Sequence, residues 1–160
     1  MAVADLIGAA IGVLLLVIVA YLLVGSTIST AQIVTTAQKS VTLQEQIQLR
    51  TDFTITDATP SLSGFNCTIK NTGTEIISDF THMDIIAYDN SSKNYQLYTY
   101  SNSSGVYGTW TISFYGNEVI HSHELDPGES YILQVTTSTG TPPSWFQITT
   151  GNGVYASEFL

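Results

Sequence analysis

Cationic side chains are scarce: four Lys and Arg stand against 13 Asp and Glu, for a formal net charge of −9 in 160 residues. Phosphate backbones are held by clustered Lys and Arg, so nucleic acid and other polyanions are excluded as partners. Cysteine is single, at Cys67, which rules out an internal disulfide and leaves other forces to stabilise the fold. No proline occurs before Pro60, so nothing of that kind interrupts a helix in the first part of the chain. Charge is missing altogether between Asp5 and Lys39.

That uncharged stretch contains the strongest positive signal. Residues 6–24 supply 19 apolar positions, close to the roughly 20 that span a bilayer core, so a transmembrane-type helix is expected. A secretory signal would show a basic leader and a shorter apolar core. Here Asp5 precedes the run and no Lys or Arg occurs before Lys39, which implies either a processed N-terminus or an anchor without a basic leader. The next segment, "STISTAQIVTTAQKSVTLQEQIQLR", keeps a helical row through Ile28, Thr35, Lys39 and Leu43, and an apolar stripe through Ile33, Val41, Leu43, Ile47 and Leu49. A helix over residues 3–50 would be about 70 Å long, more than twice the hydrocarbon thickness. Gly8 and Gly12 have the small-xxx-small spacing of helix contacts, and with Leu15, Val19 and Leu22 they form a candidate packing face.

"MAVAD", followed by a Gly/Ala/Val/Leu/Ile run, a polar helical half and a β-rich remainder, resembles the type IV pilin-like superfamily. More closely it resembles the archaeal members: pilins, archaellins and the archaellin-like accessory proteins of the archaellum. The resemblance covers residues 1–50 by pattern and the rest by architecture. It implies that Asp5 stands where an acid neutralises a neighbour's N-terminal amine in a fibre; a first-turn helix-dipole partner is the alternative. It also implies an assembly ATPase and a platform protein.

Residues 51–160 carry eleven acids, two lysines and nearly all the aromatics. "TDFTITDA", "GFNCTIKNTGTE", "HMDIIAYD", "NYQLYTYS", "GTWTISFYG", "NEVIHSHEL", "ESYILQVTT" and "SWFQITTG" alternate in the manner of strands, separated by "DNSSKN", "SNSSG", "DPGE" and "GTPP". "KNTGTE" and "LDPGESYILQV" resemble a pattern of extracellular immunoglobulin-like modules. The expected class is therefore α+β: a long hydrophobic helix over 1–50 and an immunoglobulin-like antiparallel β-sandwich head over 51–160. Cys67 shares a strand face with Phe65 and Ile69 and is expected in the core, with Trp110 or Trp145.

Catalytic and metal-binding signals are thin. His121 and His123 would share one face of the "NEVIHSHEL" strand, near Glu124 and Asp126, and His82 lies near Asp84; no third ligand is fixed, so no metal site is assigned. There is no G-x-S-x-G and no phosphate loop, "GNG" at 151–153 being a hairpin turn. No enzyme activity and no cofactor are expected. Asn66, Asn90 and Asn102 open N-x-[ST] triplets and are candidates for N-linked glycans.

Two functions follow as expectations. In the first, the chain is the subunit of an extracellular helical filament, an archaeal pilus or archaellum. It is anchored in the inner membrane before assembly and packed afterwards through its helix against identical subunits. In the second, it is a membrane-anchored archaellum accessory or stator protein whose sandwich binds the S-layer.

Overall fold

The computed structural model describes residues 2–116, 120–137 and 141–160. They form two units, Met1–Leu43 and Gln44–Leu160.

One helix, α1, runs over Ala2–Arg50, 49 residues or about 73 Å at 1.5 Å per residue. Asp5 lies in its first turn and Arg50 in its last, the signs that favour each end of the helix dipole. The part beyond Gly25 is rich in hydroxyls, which elsewhere compete with helical hydrogen bonds. Here the hydroxyls turn back onto the helix itself. Thr27 donates to the Leu23 carbonyl at 2.8 Å, Thr30 to Ser26 at 2.9 Å, Thr35 to Ala31 at 2.8 Å, Thr36 to Gln32 at 2.9 Å and Ser40 to Ala37 at 2.8 Å. With those donors satisfied internally, the polar half tolerates apolar surroundings far better than its composition suggests. α1 is long and apolar enough to cross a membrane.

The head has eight strands: β1 (Phe53–Ser61), β2 (Gly64–Asn71), β3 (Asp84–Asp89), β4 (Asn94–Tyr100), β5 (Thr109–Phe114), β6 (Ser130–Thr136), β7 (Trp145–Thr149) and β8 (Tyr155–Phe159). One layer has the order β1-β2-β6-β5 and the other β4-β3-β7-β8, joined by a short parallel pairing of β4 with β5. All other pairings are antiparallel. This is the immunoglobulin-like arrangement, with β4 added beside the third strand.

Period-2 alternation places Phe65, Cys67 and Ile69 of β2 and Tyr131, Leu133 and Val135 of β6 in the core, opposite Ile85, Ala87, Phe146 and Ile148 of the second layer. The Phe65 and Phe146 rings meet at 4.7 Å between layers. Burial pushes the Cys67 thiol up to about 12, as befits a small core residue. Of the two tryptophans, Trp110 is the core one: it is fully buried and its indole N–H donates to the Met83 carbonyl at 3.2 Å. Trp145 is only partly buried and packs edge-on to Tyr95, ring centroids 6.1 Å apart.

Two expectations are corrected. "NEVIHSHEL" is not a strand over its described part. Residues 120–125 form a turn whose one sheet-like contact is the isolated bridge of Leu125 to Ile77, and residues 117–119 lie outside the described residues. His123 has a backbone φ of 66°, incompatible with a strand, so His121 and His123 do not share a strand face. The eighth strand is instead Tyr155–Phe159, after the hairpin that "GNG" closes. There the Gly153 N–H donates to the Thr150 carbonyl at 2.9 Å.

Candidate functional site

The sandwich has a densely bonded corner where the chain passes from helix to sheet. Only Thr51 and Asp52 separate α1 from β1, and both are engaged. The Thr51 N–H and hydroxyl both donate to the Ile47 carbonyl, at 2.9 and 2.8 Å, and the Asn152 amide donates to the Thr51 hydroxyl at 2.7 Å. The Arg50 carbonyl, which a helix end leaves without a partner, accepts the N–H groups of Thr74 and Glu75 at 2.9 and 3.2 Å. The Asp52 carbonyl accepts those of Thr72 and Gly73 at 3.0 and 2.9 Å, and its carboxylate accepts the Thr72 hydroxyl at 2.9 Å. Arg50 Nε lies 3.5 Å from the Glu75 carboxylate, an exposed pair of little energetic weight.

The "KNTGTE" loop reaches this corner because Gly73 permits it. A β-carbon there would stand 2.4 Å from the Asp52 nitrogen and 2.5 Å from the Arg50 oxygen, closer than any side chain tolerates. Asn71 fixes the loop from behind. It is fully buried. Its amide donates to the carbonyls of Glu75 and Leu125, both at 2.8 Å, and its side-chain oxygen accepts the Gly73 N–H at 3.0 Å. Its backbone bonds the "DPGE" turn in both directions, N–H to the Glu129 carbonyl at 3.0 Å and carbonyl from the Gly128 N–H at 2.8 Å. That turn is closed by the Glu129 carboxylate on the Asp126 N–H at 3.1 Å. The two sequence patterns that pointed to the fold are thus bonded to each other, and the first of them holds the end of α1 through the Arg50 carbonyl.

Beside this corner the buried Asp126 carboxylate holds His121, accepting its backbone N–H at 3.0 Å and its imidazole at 2.9 Å. The hydrogen bond to Asp126 raises the His121 pKa, and the same bond holds the Asp126 carboxyl below the usual carboxylate range. His82 is near Asp84 in sequence, but its imidazole engages Asp79 at 2.7 Å, across the short 3-10 turn Phe80–His82. No group of three or more His, Cys, Asp or Glu converges as a metal site among the described residues. The grooves along Ser29–Ser40 and over Phe114, Pro127 and Ile132 are open and do not enclose a ligand.

Gly8, Leu15, Val19 and Leu22 lie exposed along α1, as do Asp5 and Gly12, at alternating three- and four-residue steps that keep them on one face. Within the chain nothing packs on Gly8 or Gly12. Asn66 sits inside β2, paired with Thr59 and Gln134 on either side. Asn90 opens the β3–β4 turn, where its side-chain oxygen accepts the Ser144 hydroxyl at 3.2 Å, and the Ser92 hydroxyl is held by Asp89 at 2.9 Å. Asn102 is exposed in the β4–β5 loop.

No family model and no curated protein matches the sequence. Among solved structures, the chain is similar to the archaellum periplasmic stator protein FlaG from Sulfolobus acidocaldarius. Identity is 25%, coverage is 69% of this chain and 99% of that one, and the TM-score is 0.50. It is also similar to the archaellum periplasmic stator protein complex of FlaF and FlaG from the same organism, at 23% identity, 68% and 87% coverage and a TM-score of 0.49. The FlaG likeness supports an archaellum-related kinship and is not specific to pilins or archaellins.

Proposed function

We propose that the chain is a membrane-anchored accessory protein of an archaellum, of the stator type, and not a catalyst. One observation carries this reading: the likeness to FlaG extends over 99% of that chain, and the present chain has a helix long and apolar enough to enter a membrane. A stator-type part has to pass load between a membrane anchor and a fixed structure outside it. A flexible linker between the two would transmit none of that load. The corner at Arg50–Asp52 has no free linker residue, and its hydrogen bonds act in parallel. The fixed structure on this reading is the S-layer, and other archaellum components are the remaining partners.

Deletion of the gene in its host is the test. The expected result is cells that still make filaments but fail to swim, rescued by the full chain and not by a version lacking residues 1–43. Full chain in nanodiscs should co-sediment with isolated S-layer sheets; failure to do so removes the S-layer from the proposal.

The filament reading keeps one observation in its favour. α1 is a single uninterrupted helix with Asp5, Gly8, Gly12, Leu15, Val19 and Leu22 exposed on one face, as a rod packed among identical rods requires. On that reading the chain would leave the membrane through an assembly ATPase and platform protein and become part of an extracellular fibre. Mass spectrometry of sheared filaments decides between the two: abundance of this chain equal to the main filament protein would establish it as a subunit, and absence would remove that reading.

A further inference from the structure

Asn152 is the only asparagine in the chain that is followed by glycine, and it stands at the tip of the β7–β8 hairpin, beside the end of α1. Asn-Gly is a chemically reactive pair, because a glycine nitrogen carries no neighbouring β-carbon to hinder its approach to the side-chain carbonyl. Here hydrogen bonds hold both reacting groups apart. The Asn152 amide donates to the Thr51 hydroxyl at 2.7 Å, and its side-chain oxygen accepts the Thr150 hydroxyl at 2.5 Å. The Gly153 N–H, which must lose its proton before the nitrogen can attack, donates to the Thr150 carbonyl at 2.9 Å. The hairpin is closed by the Thr150 N–H on the Val154 carbonyl at 2.8 Å and the Val154 N–H on the Thr150 hydroxyl at 3.1 Å. Thr51 and Thr150 are buried, whereas Gly151 and Gly153 are exposed, next to the terminal strand of the sheet. Such a turn opens locally at much lower cost than the core.

We propose that Asn152 is a self-modification site governed by its link to Thr51: while the link is closed the side chain is preserved, and once it opens Asn152 converts through a succinimide to a residue that cannot relink. In the open hairpin the Gly153 nitrogen gives its proton to hydroxide and attacks Asn152 Cγ. The new N–C bond closes an imide ring, and the side-chain nitrogen leaves as ammonia with a proton taken from water. Water then adds to either ring carbonyl and breaks its bond to the Gly153 nitrogen, leaving isoaspartate or aspartate. The sum is amide plus water to carboxylate plus ammonium, with no oxidant or reductant. The product has lost the donor. A carboxylate only accepts, and the Thr51 hydroxyl already gives its hydrogen to the Ile47 carbonyl at 2.8 Å. Two acceptors would face each other beside the negative end of the α1 dipole, in a segment, 51–160, that already carries eleven acids against two lysines. Isoaspartate also lengthens the turn by a methylene, so Thr150 and Val154 lose their register. The inference does not rest on the stator reading, because its readouts are covalent conversion and hydrogen exchange.

The experiment follows the full chain in nanodiscs, in mildly alkaline buffer, by peptide mapping that separates asparagine, aspartate and isoaspartate at position 152. Asn152 should convert at least tenfold more slowly in the folded chain than in denaturant. Thr51→Val removes the hydroxyl that accepts the Asn152 amide, and should raise the folded rate at least tenfold while amides in β6 stay protected. Asn152→Asp, which is the product made genetically, should speed hydrogen exchange at the Thr51 and Gly153 amides. Equal rates in the folded and denatured chain, a Thr51→Val rate equal to that of the unaltered chain, or unchanged exchange in Asn152→Asp would each overturn the proposal. Should Thr51→Val melt early, the unaltered chain decides: warmed in steps, its conversion must rise in parallel with exchange of the Gly153 amide, and a conversion that rises without that exchange overturns the gate.

Discussion

Replacing Asn71 by Ala tests whether the corner is held by hydrogen bonds or by shape. The substitution removes two donated bonds, to the Glu75 and Leu125 carbonyls, and one accepted from Gly73 N–H. These losses are unequal. The Leu125 carbonyl keeps the Ile77 N–H at 3.1 Å and the Gly73 N–H keeps the Asp52 carbonyl at 2.9 Å, whereas the Glu75 carbonyl loses its amide donor. One orphaned acceptor costs about 1–3 kcal/mol, and each weakened shared bond adds roughly half a kcal/mol or more, so about 3 kcal/mol is expected for the whole. For a domain near 100 residues that lowers the melting temperature by on the order of 15 °C. The assay is thermal unfolding of the full chain in nanodiscs, followed by fluorescence of the buried Trp110 together with β-sheet circular dichroism. Asn71→Leu separates the causes, since it refills the space without restoring a bond. It should be nearly as damaging as Ala. If Leu restored most of the loss, or if Ala cost under about 0.5 kcal/mol, the corner would be held by packing and the assignment of Asn71 as its keystone would fail.

Three further outcomes are expected. Gly73→Ala forces its β-carbon against Asp52 and Arg50, so hydrogen exchange at the Thr74 and Glu75 amides should accelerate at least tenfold while amides in β6 stay protected; unchanged exchange refutes the clash. The His121–Asp126 clasp should stabilise within a pH window. A raised histidine pKa contributes below its unfolded value of about 6.5 and is lost as pH rises through the folded value, whereas a lowered aspartate pKa contributes above about 3.9 and is lost as pH falls through its own. The melting temperature of the unaltered chain minus that of His121→Ala should therefore be largest between those limits, and a difference flat from pH 4 to 8 argues against the clasp. In native protein Asn102 should carry any N-linked glycan and Asn66, inside β2, none. Intact mass should fall for Asn102→Gln, and equality of the native mass with the bare polypeptide rejects glycosylation altogether.

Much of the fold was legible because its signals are local. The uncharged run without proline fixed α1 to within a residue or two, and period-2 alternation located seven of the eight strands, with Phe65, Cys67 and Ile69 correctly set inward. The "NEVIHSHEL" error has a tertiary cause. His121, His123 and Leu125 alternate with Ser122 and Glu124 like a strand, but the buried Asp126 takes the His121 backbone N–H for its own carboxylate and curls the segment into a turn. β8 was missed because its five residues, "YASEF", mix small and acidic side chains at the edge of the sheet, where burial imposes little pattern. The corner was half legible. "KNTGTE" and "LDPGE" marked the fold, yet nothing in either stretch states that they bond each other and the end of the helix, since those contacts join residues far apart in sequence.

The hydroxyls of α1 bear on the choice between anchor and fibre. A stretch of Thr and Ser following an apolar span ordinarily marks the exit from lipid into water. In this chain five such hydroxyls between Thr27 and Ser40 bond their own helix, and the first side-chain charge after Asp5 is Lys39. That leaves a rod of about 50 Å able to lie in apolar surroundings, against a hydrocarbon layer of about 30 Å. The excess demands either a steep tilt or cover from other helices outside the hydrocarbon. A single-pass anchor needs none of this excess, while both a fibre core and an anchor that associates with copies of itself would make use of it. The two readings of the chain therefore part over what surrounds α1 beyond the hydrocarbon: identical helices in a fibre, water or other archaellum components around an anchor.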